Sequence, residues 1–328
     1  MFEEKTILIT GGTGSLGKSL TRKLLSTNVK KIRIFSRDEW KQLEMKSTFS
    51  DDRLRFLIGD VRDKERLSRS LEDVDIVIHA AALKQVPIIE YNPIEAVKTN
   101  VHGAQNLIEC CLDKNIDTVL AVGTDKAVSP LNTYGATKLL MERLFVSANN
   151  FKGTHKTKFL CVRYGNVLGS RGSILPIFLE QVNNGKKITI TDPTMTRFNI
   201  TMNNALELIF RVLKDGLGGD VFVPKLKSYN VGDLKQAVLE LKNSKTETEI
   251  IGIRPGEKLH ETLINEDEIR NTFETKDDYV IFDQTNPNTS NLPSTLVKSN
   301  LTTKYSSDNA ELLSIEQLKN IIESQKLL

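Results

Sequence analysis

Tyr134 and Lys138 stand four apart in Thr133-Tyr134-Gly135-Ala136-Thr137-Lys138. On a helix that spacing stacks them one turn apart on the same face, where an ammonium can act on a phenol. A phenol with a pKa near ~10 is ionised to only about one part in a thousand at neutral pH. An ammonium at ~4 Å, in an effective dielectric of ~20, supplies roughly 4 kcal/mol, about three pKa units, enough to make the phenol a working base. Such a pair moves a proton while a hydride passes to or from an alcohol. Just upstream, the apolar run Val119-Leu120-Ala121-Val122-Gly123 reads as a buried strand and delivers Thr124-Asp125-Lys126. A hydroxyl, a carboxylate, two amines and a phenol gather where a strand ends and a helix begins, the place where open α/β sheets bind ligands. Taken alone, Lys126 reads as a flexible surface lysine and Asp125 as a residue at a helix amino terminus. The Tyr134/Lys138 pair beside them favours chemistry.

The elements that must position this set begin at the amino terminus. Thr6-Ile7-Leu8-Ile9 is an apolar run of strand length, followed by Thr10-Gly11-Gly12-Thr13-Gly14-Ser15-Leu16-Gly17 and a helical pattern through Leu20, Leu24 and Leu25. Glycines let a backbone approach a pyrophosphate, and a helix amino terminus adds amides and positive dipole. The spacing is GxxGxxG, and three glycines at the first strand-to-helix turn argue for more than a tight turn. A second strand, Ile32 to Phe35, ends at Ser36-Arg37-Asp38. An acidic residue there would accept from a ribose 2′-hydroxyl, whereas an arginine pairs with a 2′-phosphate, so Ser36 and Arg37 favour NADP while Asp38 leaves NAD open. Leu54 to Ile58 is a third strand, placing Gly59-Asp60-Val61 at an adenine edge. Asp75 to His79 is a fourth, leading into Ala80-Ala81-Ala82. His79 has no metal-ligand partner at suitable spacing and reads as a packed histidine. A helix is expected from about Pro93 to Lys114, with Asn100 either on its surface or organising a buried water, and a sixth strand from Phe159 to Tyr164. The alternation predicts an α/β fold with a doubly wound, mainly parallel Rossmann sheet.

Beyond Tyr164 the rhythm changes. Helices are expected from about Ile174 to Asn184, Asn203 to Leu213 and Val231 to Leu241, among short strands, in a smaller α/β carboxyl-terminal substrate domain. The expected division is 1–164 for the dinucleotide domain, with sheet contributions from later segments left open, 165–282 for the substrate domain, and 283–328 for a polar tail, on the surface or partly disordered, ending in a helix near Ile315 to Ile322. Arg171, Arg197 and Arg254 occupy three separate loops and point to a second anion site, with arginines for a diphosphate and Glu257 for a ribose diol.

Composition narrows the partners. The 328 residues are 39% hydrophobic, and 45 basic against 42 acidic residues leave a net charge of +3. No strong field marks a nucleic-acid or membrane partner, and no apolar run approaches bilayer length. Cys110, Cys111 and Cys161 lack CxxC spacing and read as apolar filler in a reducing compartment, so a cytoplasmic protein without a metal site is expected.

Thr10 to Gly17 and the Tyr134/Lys138 pair resemble the extended short-chain dehydrogenase/reductases. More narrowly, Ala80 to Pro87, Thr124-Asp125-Lys126-Ala127, Arg163 to Val167, Ser170-Arg171-Gly172-Ser173, Met195-Thr196-Arg197-Phe198 and Ile253 to Glu261 are similar to the inverting UDP-N-acetylglucosamine 4,6-dehydratases of bacterial surface-sugar synthesis, pseudaminic acid among them. The chain departs from them at Gly123, where Ser is common, and at Asn199, where some relatives carry Trp. The resemblance implies that Tyr134 takes the sugar O4 proton while the C4 hydride goes to NADP⁺. Lys126 is then the base at C5 and Asp125 the acid for the departing C6 hydroxyl, with Thr124 and Lys138 in support, and the hydride returns to C6. The product is UDP-2-acetamido-2,6-dideoxy-β-L-arabino-hex-4-ulose. For Lys126 to act, desolvation and the cations Lys84 and Lys138 are expected to lower its pKa, with Asp125 raised or sharing its proton.

By the same resemblance, the cofactor contacts are Gly11, Thr13, Gly14, Ser15, Leu16 and Gly17, then Ser36, Arg37, Asp38 and Lys41. Asp60, Val61, Ala80, Ala81, Ala82, Lys84, Thr99, Tyr134, Lys138 and Val167 complete them. The sugar nucleotide falls to Lys84, Asn166, Arg171, Ile174, Thr191, Arg197, Arg254 and Glu257, and a homo-oligomer, often a hexamer, is implied. A UDP-sugar 4-epimerase, a retaining dehydratase and a non-catalytic NADP-binding sensor remain as alternatives.

Overall fold

The computed structural model describes residues 1–283 and 292–328; residues 284–291 of the expected tail lie outside the described residues. In the first half β1 (Thr6–Thr10), β2 (Lys31–Ser36), β3 (Leu54–Ile58), β4 (Ile76–His79), β5 (Thr118–Val122) and β6 (Lys158–Val162) alternate with helices. These are α1 (Ser15–Leu25), α2 (Glu39–Thr48), α3 (Lys64–Ser70), α4 (Val86–Tyr91), α5 (Pro93–Ala96), α6 (Gly103–Asp113) and α7 (Thr133–Phe151). The six strands pair in parallel in the order β3-β2-β1-β4-β5-β6. Strand order reverses between β1 and β4, which opens a crevice at their carboxyl ends. Alternate side chains feed two cores: Ile7, Ile9, Ile32, Ile34 and Leu120 meet Leu20 and Leu24 on one face, while Leu8, Val77, Val119 and Cys161 meet Leu107 and Phe145 on the other.

The second half contributes α8 (Ile174–Asn183), β7 (Ile188–Ile190), β8 (Thr196–Phe198), α9 (Met202–Asp215), β9 (Asp220–Pro224), β10 (Ser228–Asn230) and α10 (Val231–Leu241). It continues with β11 (Thr248–Ile250), β12 (Thr262–Ile264), α11 (Glu266–Ile269), β13 (Thr272–Glu274), β14 (Asp278–Phe282), β15 (Val297–Lys298), β16 (Tyr305–Ser306) and α12 (Ile315–Ser324). Four of these strands return to the main sheet. β9 lies parallel to β6, β14 antiparallel to β9, and β13 and β15 extend the edge to ten strands. A separate small core, with Phe178, Ile190, Tyr229, Leu234, Leu318 and Ile322, joins α8, α10 and α12.

Three expectations need correction. The helix expected over Pro93 to Lys114 is broken by a π-helical stretch, Val97–His102, between α5 and α6. The extra backbone in that turn sets Asn100 inward, where its amide clamps Leu83, accepting from the Leu83 N–H at 2.8 Å and donating to its carbonyl at 3.0 Å. The tail is not a surface segment throughout: the Tyr305 hydroxyl donates to the Leu226 carbonyl at 2.8 Å, and β16 pairs with β12. The strand expected to reach Tyr164 ends at Val162. Cys110, Cys111 and Cys161 are buried and unpaired. His79 is packed, its Nδ1 2.8 Å from the Thr10 hydroxyl, and burial pushes it down to about 3. No helix among the described residues is long and apolar enough to cross a membrane.

One buried ion cluster fastens the late segments to the sheet. Arg163, just past β6, donates to Glu142 of α7 at 3.1 Å, to Glu268 of α11 at 2.8 Å and to the Leu263 carbonyl at 2.8 Å. Removing the guanidinium would strand two buried carboxylates, so Arg163→Met is expected to cost about 3–5 kcal/mol in a urea unfolding titration. A loss below about 1 kcal/mol, the range of exposed ion pairs, would contradict that role.

Candidate active site

A cleft of about 660 Å³ runs along the carboxyl ends of β1 to β6. Its first wall is the glycine turn. Gly11 has φ +66°, and a Cβ there would lie 2.8 Å from the Ala80 carbonyl oxygen; a Cβ on Gly17 would lie 2.2 Å from the Gly12 carbonyl oxygen. Only glycine lets the turn close so tightly on β4 and α1. Gly14 caps α1 with no side-chain hydrogen bond, so the first amides of the helix are left for a ligand. Thr13, Ser15 and Leu16 share this wall with Ala81, Ala82, Val61 and Val167. Thr99 adds a buried hydroxyl with no partner among the described residues. Such a cradle fits a dinucleotide.

At the end of β2 the competing acid is already used. Asp38 caps α2 by accepting from the Lys41 backbone at 3.0 Å, and the Lys41 ammonium sits 2.5 Å from the same carboxylate. The Ser36 hydroxyl accepts from Gln42 at 3.0 Å. Arg37 lies 3.6 Å from Asp60 and is about half exposed, so its guanidinium can still reach a ligand.

The reactive cluster stands on the turn after β5. Asp125 is fully buried; its Oδ1 accepts from the Thr124 hydroxyl at 3.0 Å and from the Lys126 ammonium at 3.0 Å. Lys126 also donates to Asn166 Oδ1 at 3.0 Å and lies 3.3 Å from Glu261, a carboxylate only 2% exposed. The turn is held by a hydrogen bond from the Asp125 amide to the Tyr164 carbonyl at 3.1 Å. Gly135 sets Tyr134 beside it, because a Cβ there would lie 2.1 Å from the Lys126 carbonyl oxygen; any side chain would push α7 away. Asn132 caps α7 by accepting from the Gly135 amide at 2.8 Å, and its own amide reaches the Gly256 carbonyl at 2.8 Å. The loop carrying Arg254 and Glu257 is thereby tied to the helix that carries Tyr134.

Charge in this cluster differs from expectation. Burial pushes Lys126 down, but Asp125 and Glu261 outweigh it and hold the amine above the ordinary lysine range. Lys84 is occupied elsewhere, its ammonium 3.3 Å from the Arg171 carbonyl. Burial lifts Asp125 above the usual carboxylate range despite Lys126. Glu261 is held low because Lys126, Arg197 and Lys258 overcome its burial. Tyr134 is raised by burial, with Lys126 and the Thr124 hydroxyl pulling it back. The Lys138 ammonium points instead to the Val122 carbonyl at 2.7 Å and the Met141 sulfur at 3.0 Å, and burial lowers it to about 8. In this arrangement Lys126 is the cation that pulls Tyr134 down, while the Lys138 ammonium is bonded to Val122 and Met141.

The far wall carries Arg171, Arg197, Arg254 and Glu257 with Asn166. Arg197 is buried, donates to the Thr196 and Leu259 carbonyls and lies 3.5 Å from Glu257. Ile174 and Thr191 do not line the cleft; the Thr191 hydroxyl turns to the Met195 sulfur at 3.1 Å. Sequence reasoning passed over Glu261, although it lies within the Ile253 to Glu261 motif; its contact with Lys126 spans a separation that no local spacing encodes.

Residues 7–283 match a family described as polysaccharide biosynthesis protein. The chain is 50% identical over 283 residues to a Campylobacter jejuni protein named UDP-N-acetylglucosamine 4,6-dehydratase (inverting), covering 86% of this chain and 84% of that one. It is 46% identical to an uncharacterized membrane protein of Methanocaldococcus jannaschii, covering 98% and 96%. It is 40% identical to a UDP-glucose 4-epimerase of Rickettsia massiliae, covering 86% and 84%. Among solved structures, Pen from Bacillus thuringiensis superposes with a TM-score of 0.94 at 40% identity, covering 100% and 99%.

The lowered amine makes stability depend on pH. With a folded value of about 8 against 10.5 unfolded, charged Lys138 burdens the native state fully below pH 8, and the burden fades as pH rises through that interval. Lys138→Met is expected to gain roughly 1–3 kcal/mol at neutral pH and to flatten the alkaline rise, measured by urea unfolding at several pH values. An unchanged slope would contradict the burial assignment.

Proposed function

The chain belongs to the polysaccharide biosynthesis protein family, and we propose that it is an NADP-dependent UDP-N-acetylglucosamine 4,6-dehydratase that inverts C5. The observation that carries this reading is Lys126 held at 3.0 Å from buried Asp125 and 3.3 Å from buried Glu261, next to Tyr134. Moving a hydride at C4 needs only a phenol; removing water across C5 and C6 needs a base and an acid as well. Tyr134 takes the O4 proton. Bound NADP supplies the hydride acceptor at C4 and the donor at C6. Lys126 removes the C5 proton, made acidic by the adjacent C4 ketone. Asp125, whose burial favours the protonated form, supplies the proton that leaves with the C6 oxygen as water, and once the hydride is back on C6 a proton entering C5 from the opposite face completes the product with that centre inverted.

NADP rather than NAD is supported by the end of β2, where Asp38 is engaged as a helix cap while Arg37 and Lys41 line the cleft. Arg171, Arg197 and Arg254 support a nucleoside diphosphate, and Glu257 a ribose diol. Exposed Ile88, Tyr91 and Ile94 on α4 and α5 and Leu140 on α7, helices packed on one another, support self-association.

A 4-epimerase is the second reading, favoured by the Rickettsia relatives' name and by Tyr134. It leaves the Asp125-Lys126-Glu261 cluster without a task. With UDP-N-acetylglucosamine and NADP⁺, the protein is expected to give a 6-deoxy-4-keto sugar inverted at C5, identified by NMR. A C4 epimer with both C6 hydrogens and its hydroxyl intact would overturn the proposal.

A further inference from the structure

Glu261 is the buried group that the scheme above leaves without a role. Its Oε1 lies 3.3 Å from the Lys126 ammonium, while its Oε2 is buried and has no hydrogen-bond partner among the described residues. It stands at the end of a loop just before β12, and it is held there by the distant tail. The Glu261 amide donates to the Ser307 hydroxyl at 3.0 Å, and the Ser307 amide donates to the Glu261 carbonyl at 2.8 Å. The same hydroxyl donates to the Thr196 carbonyl at 3.1 Å. A carboxylate aimed at one amine, with one oxygen left open, is placed to accept a proton without breaking another bond.

Resting on the dehydratase reading, we propose that Glu261 takes the proton that Lys126 must lose before it can act at C5. One N–H bond of the ammonium breaks and one O–H bond forms on Glu261; the amine is left neutral and the acid uncharged. Asp125 keeps its own proton for the leaving oxygen, so the two carboxyl groups divide the work. The groups facing Glu261 are Lys126 and Asp125 on the turn after β5, Arg197 on β8 and Lys258 on its own loop. In water those cations favour the ion pair. A sugar filling the cleft removes that water, and exchanging two buried charges for two neutral groups then becomes favourable. Glu261 acts through Lys126 and is a positioning residue in that sense.

The test is Glu261→Gln, assayed with UDP-N-acetylglucosamine and NADP⁺ across a pH series. The amide cannot accept the proton, so kcat at neutral pH is expected to fall about 100-fold, with KM little changed. Activity should recover as pH rises and Lys126 loses its proton to solvent. Reduced-nicotinamide absorbance should build up at neutral pH, because oxidation at C4 continues while elimination stalls. If Glu261 were only a counter-ion, its removal would make Lys126 easier to deprotonate and activity at neutral pH would hold or rise; that result overturns the proposal. Glu261→Asp, which keeps the charge and withdraws it by one methylene, serves if the amide variant fails to fold. It is expected to lose less activity with the same alkaline recovery, and an unaltered pH profile would likewise overturn the assignment. Failure of the dehydratase reading is separate, since wild-type protein would then release no water from the sugar.

Discussion

The Lys126 ammonium lies within 3.3 Å of two carboxylates that water hardly reaches. A buried ion is tolerated only when it is paired and hydrogen-bonded, and here one cation serves two acids. That imbalance decides the protonation states. Asp125 is lifted, Glu261 is held down, and Lys126 stays charged. In the proposed reaction Asp125 is the proton donor and Lys126 the base, and these shifts favour the protonated acid while keeping the amine charged. Filling the cleft changes the dielectric around the same three groups and so changes where their protons rest.

The fold exists around this cluster at three scales. β5 and its turn bring Asp125 and Lys126 to the mouth of the sheet, and Gly135 lets α7 press Tyr134 against them. The Arg163 cluster then ties α7 to α11 and to the Leu263 carbonyl, which fastens the helix bearing the phenol to the segment that follows Glu261. The tail closes the arrangement through Ser307, which grips both Glu261 and the residue before Arg197. Chain that is far apart in sequence is thereby committed to one proton inventory.

Much of this was legible from local pattern. The glycine turn, the strand alternation and the Tyr134/Lys138 spacing are short-range signals, and the strands lie where those signals put them; the three arginines line the cleft, but Arg197, expected in a loop, stands on β8. What local pattern could not carry was direction and long-range pairing. The i to i+4 spacing put Lys138 on the face of Tyr134, but its ammonium is captured by the Val122 carbonyl. Glu261 looked like any charged residue at the end of a loop until β12 folded back toward the turn after β5. A polar tail composition concealed Tyr305 and Ser307 because their partners, Leu226 and Thr196, lie 79 and 111 residues earlier in the chain. The π-helical turn at Asn100 was hidden for a related reason, since it lies inside a run that reads as one continuous helix and a widened turn leaves no mark on the local pattern.

The central claim is that the hydrogen taken from C4 ends on C6 of the same sugar. UDP-N-acetylglucosamine carrying deuterium at C4 tests it most directly. The account predicts a product lighter by one water with the deuterium in its C6 methyl group. Deuterium restored to C4 with no loss of water would contradict it.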